Sequence, residues 1–259
     1  MTPEEDVAKG GCGPINYEAL AATYARFREA VPRVVEYLVR TLDGISSPAI
    51  LEIGCGTADH LAALADVIAP LGGRAAGFDL SPGMLKQAGA KHPQLQLLQG
   101  DAHGRFPYAD GQFDLAFSVN VIHYLSDLST HFGEARRVLR PGGRLVTVTD
   151  SEEDIRARTM THYFPETVDR ELERYHPVAR LTAAMRAAGF GGIEVAHTRH
   201  ASVFSPADID RYRRRAFSAL RLISEEAYNR GLARLESDYA AGPLELELLE
   251  LYTYVSGRA

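Results

Sequence analysis

The stretch Ala49-Ile-Leu-Glu-Ile-Gly-Cys-Gly-Thr-Ala-Asp59 constrains the fold of this chain more than any other. A short apolar run with β-branched residues predicts a buried parallel strand. The run breaks at Gly54-Cys55-Gly56, and apolar residues then recur at helical spacing through Leu61, Leu64, Val67 and Ile68. Strand, glycine turn and helix together bring bare backbone and a helix N-terminus close to a nucleotide-like ligand. Glycine serves such a turn by tolerating positive φ and by leaving room for close approach. Thr57 is placed to cap the helix with its hydroxyl, and Asp59 is a first-turn acid that favours the helix dipole.

The rival reading is a dinucleotide fingerprint, Gly-x-Gly-x-x-Gly. The third glycine position is Asp59, and an aspartate there would repel a diphosphate. The predicted ligand is therefore a nucleoside without phosphates, with a cationic or amino group that Asp59 can pair with. Downstream spacing supports this. Asp79 follows 25 residues after Gly54, at the end of the strand-like run Ala75-Ala-Gly-Phe-Asp79. That is where an acidic residue holds ribose hydroxyls. Leu95 to Gln99 leads into Gly100-Asp101-Ala102, whose carboxylate can accept from an exocyclic amine. Phe113 to Val119 reads as a fourth strand and Gly143 to Asp150 as a fifth. Alternation with helix-length segments predicts an α/β sheet with its chemistry at the strand C-terminal ends.

Five motifs now stand in order: Leu51-Glu-Ile-Gly-Cys-Gly-Thr57, Gly77-Phe-Asp-Leu-Ser-Pro-Gly-Met-Leu85, Gln99-Gly-Asp-Ala102, Phe113-Asp-Leu-Ala-Phe117 and Leu139-Arg-Pro-Gly-Gly-Arg144. Together they resemble the class I S-adenosylmethionine-dependent methyltransferases, and most of all the small-molecule branch that includes the ubiquinone/menaquinone C-methyltransferases. The resemblance covers roughly residues 45–150. It implies a doubly wound, mostly parallel, Rossmann-like sheet of seven strands with the last antiparallel, and S-adenosylmethionine as cofactor. Glu52 is then expected to anchor the glycine loop and the cofactor's amino-acid end, or simply to brace the loop. Asp79 and Leu80 are expected at the ribose, and Met84, Asp101 and Ala102 at the adenine. An N-terminal helix bearing Tyr17 and Tyr24 is expected to cover cofactor and acceptor. Residues just past strand four face the transferred methyl in this family, which singles out Asn120 and His123. A histidine near neutral pKa can take the proton that an oxygen or nitrogen nucleophile must lose; the bland alternative is that His123 only packs the turn. His103 receives no fixed role from the resemblance.

At 259 residues the chain suits one large α/β domain with an insertion or cap. A net charge of −6 argues against a nucleic-acid-binding surface. There is no signal peptide or membrane-spanning run, so the expected location is cytoplasmic, with a small-molecule acceptor and a monomer or homodimer. Of the two cysteines, Cys55 sits between the motif glycines, too constrained for a disulfide, and Cys12 has no His/Cys ligand set around it. No metal-ligand motif is evident.

The remaining expectations concern layout. Residues 1–15 form a flexible tail, 16–44 a helical cap with a second segment starting at Pro32, 45–204 the core, 205–240 a helical lid, and 241–259 the final strand. Ser81-Pro82 and Ser205-Pro206 read as helix starts, Asp127 as an N-cap, and Arg140-Pro-Gly-Gly143 as a stop signal feeding strand five. A sixth strand is predicted over Gly192–His197 and a seventh over Leu244–Val255. His162, Tyr163 and Phe164 are the first candidates for the acceptor-pocket wall, with Tyr175 and His176 a second set. The basic cluster Arg211, Arg213, Arg214 and Arg215 is either a solvated face or an anion site for an acidic substrate. Two rival functions remain: a methyltransferase-like subunit that binds cofactor without turnover, and an NAD-dependent oxidoreductase.

Overall fold

The first helix, α1 (Pro32–Arg40), starts where proline already holds a helical φ, and it buries Val34 and Leu38 completely. Each such side chain contributes about 1.5–3 kcal/mol on leaving water. The computed structural model describes residues 29–242 and 247–259, apart from the side chains of residues 247 and 248. Tyr17, Tyr24 and Cys12 lie outside the described residues.

Seven strands form one sheet in the order β3-β2-β1-β4-β5-β7-β6. They are β1 (Ala49–Ile53), β2 (Arg74–Asp79), β3 (Gln96–Gln99), β4 (Phe113–Val119), β5 (Leu139–Thr149), β6 (Gly191–Val203) and β7 (Glu247–Arg258). The pairs among β1 to β5 are parallel, while β7 runs antiparallel to both β5 and β6. The doubly wound, mostly parallel sheet with an antiparallel last strand is the one expected. Sequence order reverses between β1 and β4, so a crevice opens at their C-terminal ends.

Alternation along the strands assigns each side chain to a face. Leu51 and Ile53 pack with Phe78, Phe132, Val138 and Leu181 on one face, under α4 (Leu128–Val138) and α8 (Val178–Ala187). Ile50 packs on the other with Leu38, Leu61, Leu64, Phe117 and Val148, under α1 and α2 (Asp59–Ile68). Helix α3 (Pro82–Lys91) is capped by Ser81, whose Oγ accepts from Met84 N–H at 3.1 Å. Asp127 caps α4 by accepting from the N–H groups of Ser129 and Thr130 at 3.0 and 3.1 Å.

Two insertions share a third apolar cluster. The first, between β5 and β6, holds α5 (Glu152–Ala157), α6 (Thr159–Tyr163) and α7 (Thr167–Arg174) ahead of α8; the second, between β6 and β7, holds α9 (Pro206–Arg213) and α10 (Glu225–Ala241). Met160, Tyr163 and Phe164 from the first pack on Ile209, Tyr212, Leu220, Tyr228 and Leu235 from the second. The helices expected as a lid over 205–240 thus share their apolar cluster with the segment between β5 and β6. The two segments meet across a long sequence separation that local periodicity does not report.

Three boundaries also move. The sixth strand continues to Val203 because β7 pairs it along its whole length, and β7 itself runs from Glu247 to Arg258. Arg140-Pro-Gly-Gly143 is a bulged part of β5 rather than a turn ahead of it. The bulge is held by backbone hydrogen bonds to Ala259: Gly142 N–H donates to Ala259 O at 3.0 Å, and Ala259 N–H to Gly143 O at 2.8 Å.

Candidate active site

The glycine turn sits at the tip of β1 and is stitched to the tip of β2. Cys55 N–H donates to Phe78 O at 3.0 Å, and Gly56 N–H donates to the Asp79 carboxylate at 2.8 Å. Gly54 and Gly56 both have positive φ, +66° and +53°. A Cβ on Gly54 would lie 2.7 Å from Val121 Cγ2, whereas one on Gly56 would meet nothing within 4 Å. The first glycine thus admits the chain after β4, and the second leaves the cleft side open. That cleft is lined by Glu29, Glu52, Gly56, Thr57, Asp59 and Val119, among others, and encloses about 60 Å³. This is room for one end of a ligand, since whole pockets run to roughly 300–1,000 Å³.

The second oxygen of Asp79 accepts from Ser81 N–H at 2.9 Å. Burial pushes its carboxyl above the ordinary aspartate range, against the pull of the N–H groups of Ser81, Gly56 and Leu80. A carboxylate offers about four acceptor positions, so lone pairs remain for a ligand's hydroxyls. Leu80 stands 60% exposed beside it, a bare apolar side chain at the strand tip, while Met84 is buried in the first turn of α3.

Glu52 is the charged residue inside β1. Its Oε2 accepts from Leu61 N–H at 3.1 Å in the first turn of α2, on the face that β1 shares with that helix. It braces the start of the helix. Thr57 does not cap α2 as expected: Ala58 occupies the cap position at φ +60°, and the Thr57 hydroxyl donates to Asp59 Oδ2 at 2.6 Å. Asp59 also pairs with Lys91 and lies 3.4 Å from His92 Nε2. Its charge already ties α2 to the end of α3, which weakens the idea that it waits for a ligand cation. His60 Nε2 accepts from Val31 N–H at 3.1 Å and so moors α1 to the same helix. Cys55 is buried, and desolvation drives its thiol far above the ordinary range, so it stays protonated.

After β4 the chain enters a left-handed residue, Asn120, at φ +56°; its N–H donates to Val148 O at 2.9 Å. Non-glycine residues in this conformation gather at functional sites. Its side-chain Oδ1 is buried and accepts no hydrogen bond among the described residues, an orphan acceptor suited to a ligand's N–H or O–H. His123 follows in a short 3₁₀ turn (Ile122–Tyr124), its ring 4.2 Å from Tyr175 and nearly parallel to it, and 4.1 Å from Tyr124.

Beyond β3, Asp101 Oδ1 accepts from His103 N–H at 2.8 Å and lies 2.9 Å from His103 Nδ1. Slight burial raises the Asp101 carboxyl, but these contacts overcome it and hold it below the ordinary range. His103 Nε2 lies 3.2 Å from Tyr124 O, joining this loop to the segment after β4. Ala102 is fixed from behind, because its carbonyl lies 3.2 Å from Nδ1 of the fully buried His131. Burial drops the His131 pKa to about 4, so the ring is neutral and Nδ1–H donates.

At the tip of β5 lies a buried carboxylate that the sequence presents only as a strand end. Asp150 is 8% exposed and pairs with Arg158 at 2.8 Å; Arg158 also pairs with Glu171. Burial raises the Asp150 pKa to about 6, against the pull of Arg158 and a hydrogen bond from Tyr175. Tyr175 therefore links Asp150 to His123. The available signal was an aspartate ending a strand next to the assigned acceptor segment, with Tyr175 in the second candidate set.

His162, Tyr163 and Phe164 sit elsewhere. Tyr163 and Phe164 are inside the cap's own apolar cluster, with Phe164 stacked 5.8 Å from Tyr212, and His162 is exposed. The basic cluster is internally paired: Arg211 with Asp208, Arg213 with Glu236, Arg214 with Asp210 and Arg215 with Glu225. It is a salt-bridged surface rather than an open anion site. Among the described residues there is no cluster able to hold a metal ion and no helix long and apolar enough to cross a membrane.

Comparison with known proteins follows these elements. Residues 51–147 match the family described as Methyltransferase domain. The chain is 35% identical over 135 residues to malonyl-[acyl-carrier protein] O-methyltransferase of Hahella chejuensis, covering 52% of this chain and 48% of that protein. It is 35% identical over 104 residues to demethylmenaquinone methyltransferase of Chlorobaculum tepidum, covering 40% and 41%. The chain thus spans less than half the length of these relatives. Among solved structures, a candidate methyltransferase from an antibiotic biosynthesis pathway of Anabaena variabilis superposes with a TM-score of 0.70 at 21% identity, over 90% of this chain and 99% of that one. A [4+2]-cyclase superposes at 0.57 with 16% identity, over 93% of each chain, so the fold by itself does not dictate the reaction.

Proposed function

Because residues 51–147 match the Methyltransferase domain family, we propose that the chain is a class I S-adenosylmethionine-dependent methyltransferase that transfers the methyl group to an oxygen, nitrogen or carbon nucleophile of a small molecule. The observation that carries this reading is the Asp79 carboxylate, fixed by Gly56 N–H at the switch point with acceptor capacity to spare.

The residues present fit the cofactor. Gly56 leaves space where a Cβ would otherwise project, and Asn120 Oδ1 is a buried acceptor awaiting a donor. Asp79 and Leu80 would hold the ribose, Met84, Asp101 and Ala102 the adenine, and Glu52, Gly54, Gly56 and Asn120 the amino-acid end. S-Adenosylmethionine supplies a methyl carbon that its sulfonium has already made electrophilic. The protein is left to align a nucleophile with it and keep water out. His123 and Asp150, joined through Tyr175, are the groups on hand to accept a proton from an oxygen or nitrogen nucleophile. The cap built from both insertions is suited to excluding water.

Calorimetric titration with S-adenosylhomocysteine, with NAD as control, combined with transfer of labelled methyl into a cell-extract metabolite pool, tests the proposal. Binding of the first ligand and a labelled small product are expected. Tight binding with no product from any extract would point instead to a non-catalytic, cofactor-binding subunit. Binding of NAD alone would overturn the reading.

A further inference from the structure

One charged side chain beside the acceptor segment has no use in the scheme above. Arg174 ends α7, and its guanidinium carbon lies 5.2 Å from the centre of the Tyr124 ring. Both terminal nitrogens, Nη1 and Nη2, are out of contact with water and make no hydrogen bond among the described residues. The acids near it in sequence are taken: Glu171 pairs with Arg158, and Glu173 with Arg170. A cation at a helix C-terminus gains something from the helix dipole, but that gain does not require its donors to be withdrawn from water. A buried guanidinium without acceptors is costly unless something supplies them.

Its surroundings say where that acceptor would come from. Tyr124 stands four residues past Asn120, with the His103 ring against its carbonyl and the His123 ring against its side chain. Tyr175, next to Arg174 in the chain, stacks on His123 and bonds Asp150. Arg174 therefore stands against the segment that follows β4, next in the chain to the tyrosine that reaches Asp150 at the end of β5. The Arg211–Arg215 cluster, by contrast, has its charges matched.

We propose that Arg174 receives an anionic oxygen group of the methyl acceptor, a carboxylate or phosphate, against the Tyr124 ring. The planar guanidinium suits such a group because it presents two parallel N–H donors. The inference rests on the methyl-transfer reading for the identity of the ligand, and the anion site itself can be tested apart from turnover.

Two measurements on the full chain, wild-type and with Arg174→Met or Arg174→Lys, test it. The first is thermal unfolding in sodium acetate or sodium phosphate against sodium chloride at equal ionic strength. Wild-type is expected to gain stability in one of the two, Arg174→Lys to retain part of the gain, and Arg174→Met to lose it. In chloride Arg174→Met is expected to melt no lower than wild-type, because the substitution removes buried donors that have no hydrogen-bond acceptors among the described residues; a lower melting point would mark Arg174 as a packing residue and overturn the proposal. The salt that stabilises tells carboxylate from phosphate. The second is labelled-methyl transfer in extract. The product is expected to bind an anion exchanger at neutral pH, and Arg174→Met to raise KM by about 10- to 100-fold while S-adenosylhomocysteine affinity is unchanged. A neutral or cationic product, or an equal loss of S-adenosylhomocysteine affinity, overturns the proposal. Anion stabilisation that needs Arg174, without any methyl transfer, supports the site and defeats the methyl-transfer reading; transfer to an uncharged acceptor without anion stabilisation does the reverse.

Discussion

Gly54→Ala perturbs a place where the glycine turn and the segment after β4 touch. Two effects add there. At φ +66° a side chain costs about 1–2 kcal/mol. The new Cβ would also lie 2.7 Å from Val121 Cγ2 and 3.0 Å from Val121 Cγ1; overpacking of that kind costs about 1–3 kcal/mol. A total loss of about 2–5 kcal/mol is expected from urea unfolding midpoints. Val121→Ala in the same chain removes the overlap but not the backbone strain, so the double variant should recover about 1–3 kcal/mol relative to additivity. Gly56→Ala is the control. With nothing within 4 Å of its Cβ it should show only the backbone loss, no rescue by Val121→Ala, and a clear drop in S-adenosylhomocysteine affinity because the methyl group enters the cleft. Strict additivity of Gly54→Ala with Val121→Ala would refute the contact.

Acid should weaken the protein through His131. Its folded pKa of about 4 lies below the ordinary value of 6.5, so the unfolded chain protonates first. Stability is full above pH 6.5 and falls as the pH drops toward 4, by about 3 kcal/mol. His131→Leu should flatten that part of the urea-midpoint profile, and an unchanged slope would refute the assignment. Asp150 acts in the opposite sense: its raised pKa makes the folded state protonate first between about 6 and 3.8, so Asp150→Asn should steepen the acid loss. Asp79→Ala should weaken S-adenosylhomocysteine binding at least tenfold by calorimetry through lost hydrogen bonds to charge, and unchanged affinity would remove Asp79 from the site. His123→Ala should lower turnover more than donor affinity, and turnover at the wild-type level would exclude it as a proton acceptor.

What could be read from the sequence was local. The turn at Gly54-Cys55-Gly56, the acid ending β2 and the Ser81 and Asp127 caps all depend on neighbours a few residues apart. What could not be read depends on partners far along the chain. Asp59 pairs with Lys91, which redirects a carboxylate that spacing alone offered to a ligand. Phe164 looked like a pocket wall until Tyr212 and Tyr228 covered it. Asp150 looked like the end of a strand because Arg158, Glu171 and Tyr175, which make it a buried titrating group, come from the least patterned part of the chain. Thr57 lost its capping role because the turn needed one more left-handed residue, Ala58, before α2 could begin.

The third apolar cluster has a consequence for redesign. Since Phe164 from one insertion lies against Tyr212 and Tyr228 from the other, neither segment carries a finished interior of its own. A chimera that imports a relative's residues 151–175 alone would set foreign aromatics against native ones. Exchange of both segments as a matched set is the graft that should keep the cap folded and carry its shape to a new host.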